Sequence, residues 1–198
     1  MDRERLFQAT KDVSRDSIRG LGGPAEMIRY PDAVHGSNIA LLRVKDQPYE
    51  GAVSYVTTNL SDVPVGGRVA PPLGAEVIGV CDAGVDVPRL LSEIVFRARE
   101  RESGPVRHEV MLDVVPAEMS RELRHVLFVD PVYWEYGFEP RVYDNKTVAW
   151  RRLRVRPPPA RSGATRRTTS AWTSAAHTGG ATMKCWRSVR FCLCLRQL

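Results

Sequence analysis

The chain has 198 residues, of which 43% are hydrophobic and 26% charged, which is enough apolar material for one hydrophobic core. No run of about 18 apolar residues occurs, which excludes a membrane-spanning helix, and the mixed-charge start Met1-Asp2-Arg3-Glu4-Arg5 lacks the apolar stretch of a secretory signal, so a cytoplasmic location is expected. The net charge of +6 is unevenly spread: residues 1–150 carry −5, while residues 151–198 carry +11 with no acidic residue at all. An argument from overall basicity to nucleic acid therefore concerns the tail alone.

In chain order, residues 1–19 read as a polar helix with a thin apolar stripe of Leu6, Phe7, Ala9, Val13 and Ile18, ended by Gly20-Leu21-Gly22-Gly23-Pro24. That glycine run lacks the third glycine of a dinucleotide fingerprint and the Gly-Lys-Ser/Thr ending of a phosphate loop, so it reads as a turn. Ala25–Tyr30 reads as a first strand stopped by Pro31-Asp32. Ile39–Val44 follows as a strand so apolar that both faces must be covered. Ala52–Thr58 is a third strand, rich in β-branched and aromatic residues. It runs into Asn59, Ser61, Asp62 and Pro64, residues with turn chemistry, and then into a loop over residues 61–74 containing Gly66-Gly67.

Ala75–Cys81 is a fourth strand. The strongest periodic signal comes next. Val87, Leu90, Leu91, Ile94, Val95 and Ala98 fall on one face of a 3.6-residue helix, with Asp86 placed to cap its start and Pro88 in its first turn. Glu109–Val115 and His125–Val129 read as strands joined by a polar turn over Ala117–Leu123. Pro131–Phe138 is an aromatic cluster, and Thr147–Val155 reads as a last strand. The order of elements implies an α/β or α+β fold, a mixed sheet packed by helices.

Motifs of catalysis are sparse. His108 and Asp113, like His125 and Asp130, are five residues apart, which places the members of each pair on opposite faces of a strand. His125 with Asp113 across neighbouring strands is the one local pairing left open for a small hydrolase using His108 and His125 with nearby carboxylates. No strained serine elbow accompanies them. Cys81 sits in an apolar run as a small hydrophobe. Cys192-Leu193-Cys194, with Cys185, lacks the spacing and further ligands of a zinc site, so no metal and no cofactor is expected. A third reading, nucleic-acid binding through the basic tail, has arginines without interleaved aromatics behind it.

Several segments, taken in order, resemble one family. They are Met27-Ile28-Arg29-Tyr30, Tyr55-Val56-Thr57-Thr58-Asn59-Leu60-Ser61, Ala75–Val80, Val114-Val115-Pro116, Leu127–Glu135 and Val148-Ala149-Trp150. Together they resemble the Suppressor of fused (SUFU) domain in its bacterial single-domain form, over about residues 25–152. The glycine that the family carries between Asn59 and Leu60 is absent, and Asn59 can supply the left-handed conformation a glycine would. The resemblance divides the chain into an N-terminal helix and glycine-rich turn (1–24), a SUFU-like domain (25–152) and a basic tail (153–198). The tail reads as either an out-of-frame translation or a disordered arm. What the resemblance implies is a non-enzymatic protein-binding domain of the immunity type, whose partner is another protein, a toxin or a peptide segment. The partner-facing residues are then expected at the exit of the third strand and in the aromatic cluster: Tyr55, Thr57, Asn59, Ser61, Asp62, Trp134 and Glu135.

Overall fold

In a computed structural model the described residues are 3–32, 36–66, 72–82, 85–134 and 137–157, with the side chains of residues 3–7, 32 and 37 excepted. Among them are two α-helices, α1 (Arg3–Leu21) and α2 (Val87–Glu100), and eight strands. The strands are β1 (Ala25–Asp32), β2 (Ser37–Lys45), β3 (Ala52–Thr57), β4 (Leu73–Asp82), β5 (Val110–Met111), β6 (His125–Val129), β7 (Arg141–Tyr143) and β8 (Lys146–Arg156). They form one sheet in the order β1-β2-β3-β4-β8-β6-β5, with β7 also paired to β8. Only the β4–β8 pairing is parallel. The fold is thus a mixed sheet packed by helices, as the order of elements implies.

The two faces of the sheet are buried differently because the strands alternate. Ile39 and Leu41 of β2, Val53 and Tyr55 of β3, Val77 and Cys81 of β4, Val126 and Phe128 of β6, and Leu153 and Val155 of β8 join the apolar stripe of α2 in one core. Leu42 and Val44, Val56, Ile78, Val148 and Trp150 point the other way and meet Val13 and Leu21 of α1 together with Phe138. The unbroken apolar run of β2 is therefore divided between two cores. α2 forms as its periodicity predicts: Val87, Leu90, Leu91, Ile94, Val95 and Ala98 are all fully buried, and Asp86 accepts a hydrogen bond from the Arg89 N–H at 3.2 Å.

α1 differs from its expected stripe. Val13, Ser17 and Leu21 are buried, four residues apart, whereas Ile18 is 37% exposed. Ser17 faces the sheet because its hydroxyl accepts the indole N–H of the buried Trp150 at 3.0 Å, and a polar residue gives no hydrophobic signal for such a role. The helix also runs through Gly20 to Leu21. A side chain at Gly20 would lie 2.8 Å from the Phe138 ring and 2.9 Å from the Gly137 carbonyl, so the glycine permits close approach here and does not end the helix. Asp16 completes the docking: it accepts the Tyr143 hydroxyl at 2.6 Å and pairs with Arg141 at 2.9 Å. Burial opposes its ionisation, yet these two donors hold its carboxyl below the ordinary range.

Other boundaries shift as well. β1 continues through Pro31, which an edge strand tolerates because its free side needs no N–H. The expected strand over Glu109–Val115 shrinks to Val110–Met111, bounded by left-handed backbone at His108 (φ 64°) and Asp113 (φ 49°). β7 was not anticipated; it is three residues long and carries little periodicity. β8 pairs with β6 through Arg156, so residues 153–156, assigned above to the tail, lie in the sheet. Residues 158–198, including Cys185, Cys192 and Cys194, lie outside the described residues.

The packing makes a direct contrast between two isoleucines. Ile94→Ala in α2 should lower stability by about 3 kcal/mol through lost burial and a residual cavity, whereas Ile18→Ala in α1 should change it by less than about 0.5 kcal/mol. Urea midpoints of the two variants against the parent measure the difference; equal losses would contradict the placement of Ile18 at the surface.

Candidate protein-binding site

The exit of β3 is held together by a buried carboxylate. Glu76 on β4 is fully buried. It accepts hydrogen bonds from the Thr57 hydroxyl at 2.5 Å, the Leu60 N–H at 3.2 Å and the Ser61 N–H at 3.0 Å. The Leu60 and Ser61 donors open the single 3₁₀ turn Leu60–Asp62, whose first N–H groups have no partner within the turn. Thr57 in turn accepts the Val77 N–H at 2.8 Å, so one hydroxyl joins β3 to β4. Burial raises the Glu76 carboxyl above its ordinary value, against the pull of these donors.

Asn59 continues the β2–β3 ladder with its side chain. Its amide oxygen accepts the Ala40 N–H at 3.2 Å and its amide nitrogen donates to the Asn38 carbonyl at 2.6 Å. Its backbone lies at φ −141°, ψ 14°. The left-handed conformation expected of it is therefore not used. The side-chain bonds to β2 and the capping by Glu76 close the turn without it.

The chain after the turn is fixed from two sides. The Ser61 carbonyl and the Asp62 carboxylate receive the Lys146 ammonium at 3.1 and 3.3 Å. A side chain at Gly74 would meet the Ser61 carbonyl at 2.6 Å, so glycine is required for this approach. The Val65 N–H donates to the Leu73 carbonyl at 2.7 Å and the Gly104 N–H to the Pro64 carbonyl at 2.8 Å, which ties the strand exit to the end of α2. Residues 67–71 of the loop lie outside the described residues.

The expected partner-facing residues separate accordingly. Tyr55 is buried under α2, and Thr57 and Ser61 are inside the Glu76 network. Their expected outward role conflicts with that burial, because the turn curls in to meet Glu76. Asn59 is half-buried and Asp62 exposed, and with Asn38 and Lys146 they make a polar rim at this end of the sheet. Trp134 is half-buried some way along the α1 side. Its ring meets Tyr133 at 6.2 Å and Phe138 at 5.3 Å, and Phe138 meets Trp150 at 5.8 Å, all edge to face. The cluster thus caps the core, with Tyr133 38% exposed at its outer end. Glu135 lies outside the described residues. Glu76 and Lys146, which organise the turn, went unrecognised in the sequence. A lone glutamate in the apolar strand Leu73–Asp82 was the available signal.

The histidines are also placed. His125 is buried, and its Nδ1 accepts the Asp113 backbone N–H at 2.8 Å. That nitrogen lies 4.0 Å from the Asp113 carboxylate but is already occupied, so it is not poised as a base toward solvent. His108 is exposed on the preceding turn, with its backbone N–H donating to the Phe128 carbonyl. Among the described residues no group of three His, Cys, Asp or Glu side chains is arranged to hold a metal. No helix among them is long and apolar enough to cross a membrane.

No protein-family model matches the chain. Against characterised proteins it is 29% identical over 148 residues to immunity protein YqcF of Bacillus subtilis (strain 168), covering 73% of this chain and 77% of that protein. The chain is similar to an immunity protein. Among solved structures, a SUFU (suppressor of fused protein) homolog from Neisseria gonorrhoeae FA 1090 superposes with a TM-score of 0.47 at 12% identity, over 73% of this chain and 76% of that one. The similarity to YqcF agrees with the immunity-type reading of the motifs.

The Glu76 network carries a pH signature. A carboxyl whose folded pKa is raised binds its proton more tightly when folded. Stability therefore falls as pH rises from the ordinary value of 4.5 through the raised folded value, and is flat above it. Glu76→Gln removes this term. The urea midpoint of the parent should fall relative to that of the variant as pH climbs through this window; parallel curves would show that Glu76 does not titrate as described. At the rim, Asn59→Ala should cost about 1–2 kcal/mol for its two lost bonds. Asp62→Ala, which loses one exposed ion pair, should cost under about 1 kcal/mol.

Proposed function

We propose that the chain is a non-enzymatic immunity-type protein that binds and neutralises a partner toxin protein. The observation that carries this reading is the similarity to immunity protein YqcF along most of both chains. The site geometry supports it. The β3 exit is a polar rim in which Glu76, Thr57, Ser61, Asn59 and Lys146 are committed to internal bonds, leaving the exposed Asp62 and Asn38 for contact. A pre-formed rim binds without a large ordering cost. Trp134 and Tyr133 supply an aromatic edge of the kind that anchors protein interfaces. The −5 charge of residues 1–150 favours a basic partner such as a nuclease. A hydrolase reading has less behind it, since His125 is buried with Nδ1 engaged.

Co-expression with toxin-type proteins encoded beside the gene tests this reading. The chain should restore growth to cells expressing one of them and co-purify with it, and His125→Ala should leave both results unchanged. A neighbouring toxin that is neither bound nor neutralised would overturn the proposal. Protection that disappears with His125→Ala in a folded variant would instead favour the hydrolase.

A further inference from the structure

Among the described residues, the α1 side of the sheet is covered over only part of its width. Val13 and Leu21 of α1, with Phe138 and Trp134, lie over Leu42, Val44, Val56, Ile78, Val148 and Trp150. Beyond Ile78 and Trp150 the same face continues along β4, β8 and β6. Leu153 and Val155 of β8 and Val126 and Phe128 of β6 belong to the α2 core. Their alternates Arg152, Arg154 and Arg156, and Leu127 and Val129, therefore point to the α1 side. On β4, Val80 follows Ile78 on that side by the same alternation. Strand register sets these residues in rows: Val129 beside Arg152 beside Ile78, and Val110 beside Leu127 beside Arg154. Val80, Leu127, Val129, Arg152 and Arg154 are half-buried and Arg156 is exposed. None of them belongs to the α1-side core or packs against it.

The three arginines recur about every 7 Å along β8, and no ion pair joins any of them to an acid among the described residues. Asp82, at the end of β4 on this face, pairs with none of them. Arg152 stacks over the Tyr133 ring at 4.2 Å, and its Nε is buried without a hydrogen-bond partner. A buried guanidinium N–H without an acceptor is costly. Neighbouring Arg151 points to the other face and reaches Asp130 at 3.6 Å, although its own Nε is buried without a partner too.

We propose that this open half of the sheet is a docking surface for an extended acidic protein segment in which carboxylates alternate with apolar residues. Carboxylates would meet the terminal guanidinium nitrogens of Arg152, Arg154 and Arg156. Apolar side chains would cover Val80, Leu127 and Val129. Charge selects an acidic occupant, and the apolar residues interleaved with the arginines select protein over nucleic acid, whose phosphate backbone gains nothing from them. The basic segment 158–198 of the chain itself carries no acid and cannot supply the carboxylates. The surface is independent of whether the partner is a toxin, so the proposal stands or falls apart from the preceding one.

The test is fluorescence anisotropy of the full chain with a labelled twelve-residue peptide of alternating glutamate and valine. The parent should bind it, and Arg152→Gln/Arg154→Gln/Arg156→Gln should weaken binding by about tenfold, three charge contacts together. Leu127→Asp, which leaves every arginine in place, should weaken it independently if the triple variant fails to fold. Neutralising Arg166, Arg167 and Lys184 in the tail should change it by less than about twofold, since charges outside the interface contribute little. The proposal is overturned if the peptide does not bind, if the tail variant loses as much as the triple variant, or if both face variants bind as the parent does. It is also overturned if an oligothymidylate of equal charge displaces the peptide with higher affinity.

Discussion

The β3 exit depends on a carboxylate placed where water cannot reach it. Moving an ionised glutamate into a protein interior costs several kcal/mol unless its oxygens are satisfied. Glu76 meets that condition by gathering the Thr57 hydroxyl and two backbone N–H groups that would otherwise be orphaned at the start of the 3₁₀ turn. The exchange is reciprocal: the turn needs an acceptor and the carboxylate needs donors, and neither is stable in this position alone. Because Thr57 also receives the Val77 N–H, the same four groups fix the register of β3 on β4 at the point where the ladder ends. Gly74 follows from this arrangement, since the turn lies so close to β4 that no side chain fits there.

The rest of the fold is arranged around that strand pair. β3 and β4 occupy the middle of the sheet with α2 on one face and α1 on the other. α2 is held by apolar burial alone along its inner face. α1 has a narrower apolar face and adds polar docking, Ser17 to Trp150 and Asp16 to Tyr143 and Arg141. This difference explains why α2 is obvious in the sequence and α1 only partly so. A helix whose contact is half hydrogen bonds does not display its buried side as a run of hydrophobic residues.

The same reasoning separates what was legible from what was not. Strand and helix positions followed from periodicity wherever burial was apolar: β2, β6, β8 and α2 stand within a residue or two of their expected limits. Most of the misplacements trace to polar groups that make specific bonds. Periodicity places Ile18 inward and is silent on Ser17, whereas Ser17 is buried and Ile18 exposed. Leu112–Val115 has strand-forming residues, but positive φ at Asp113 and the guanidinium of Arg97 on the Leu112 and Asp113 carbonyls carry it out of the ladder. The absent glycine implies a left-handed backbone at Asn59, whereas its φ is negative and its amide bonds to β2 instead. At the candidate site, the turn was found by its composition. Its organiser, Glu76, lies 15 residues away from Ser61 in sequence, beyond the reach of any local pattern.

A consequence follows for how the turn relates to binding. The residues that make the stretch from Tyr55 to Ser61 recognisable are those that the Glu76 network constrains: a threonine that must donate and accept, an asparagine that must bridge to β2, and a serine that must pass beneath Gly74. Residues under such constraint preserve the shape of the rim and are poorly suited to distinguish one partner from another. Discrimination needs side chains free to change without unfolding the turn. At this end of the sheet those are Asp62 and Asn38, and elsewhere the exposed Tyr133 and the arginines of β8. The motif is thus a scaffold, and partner choice belongs to its less constrained surroundings.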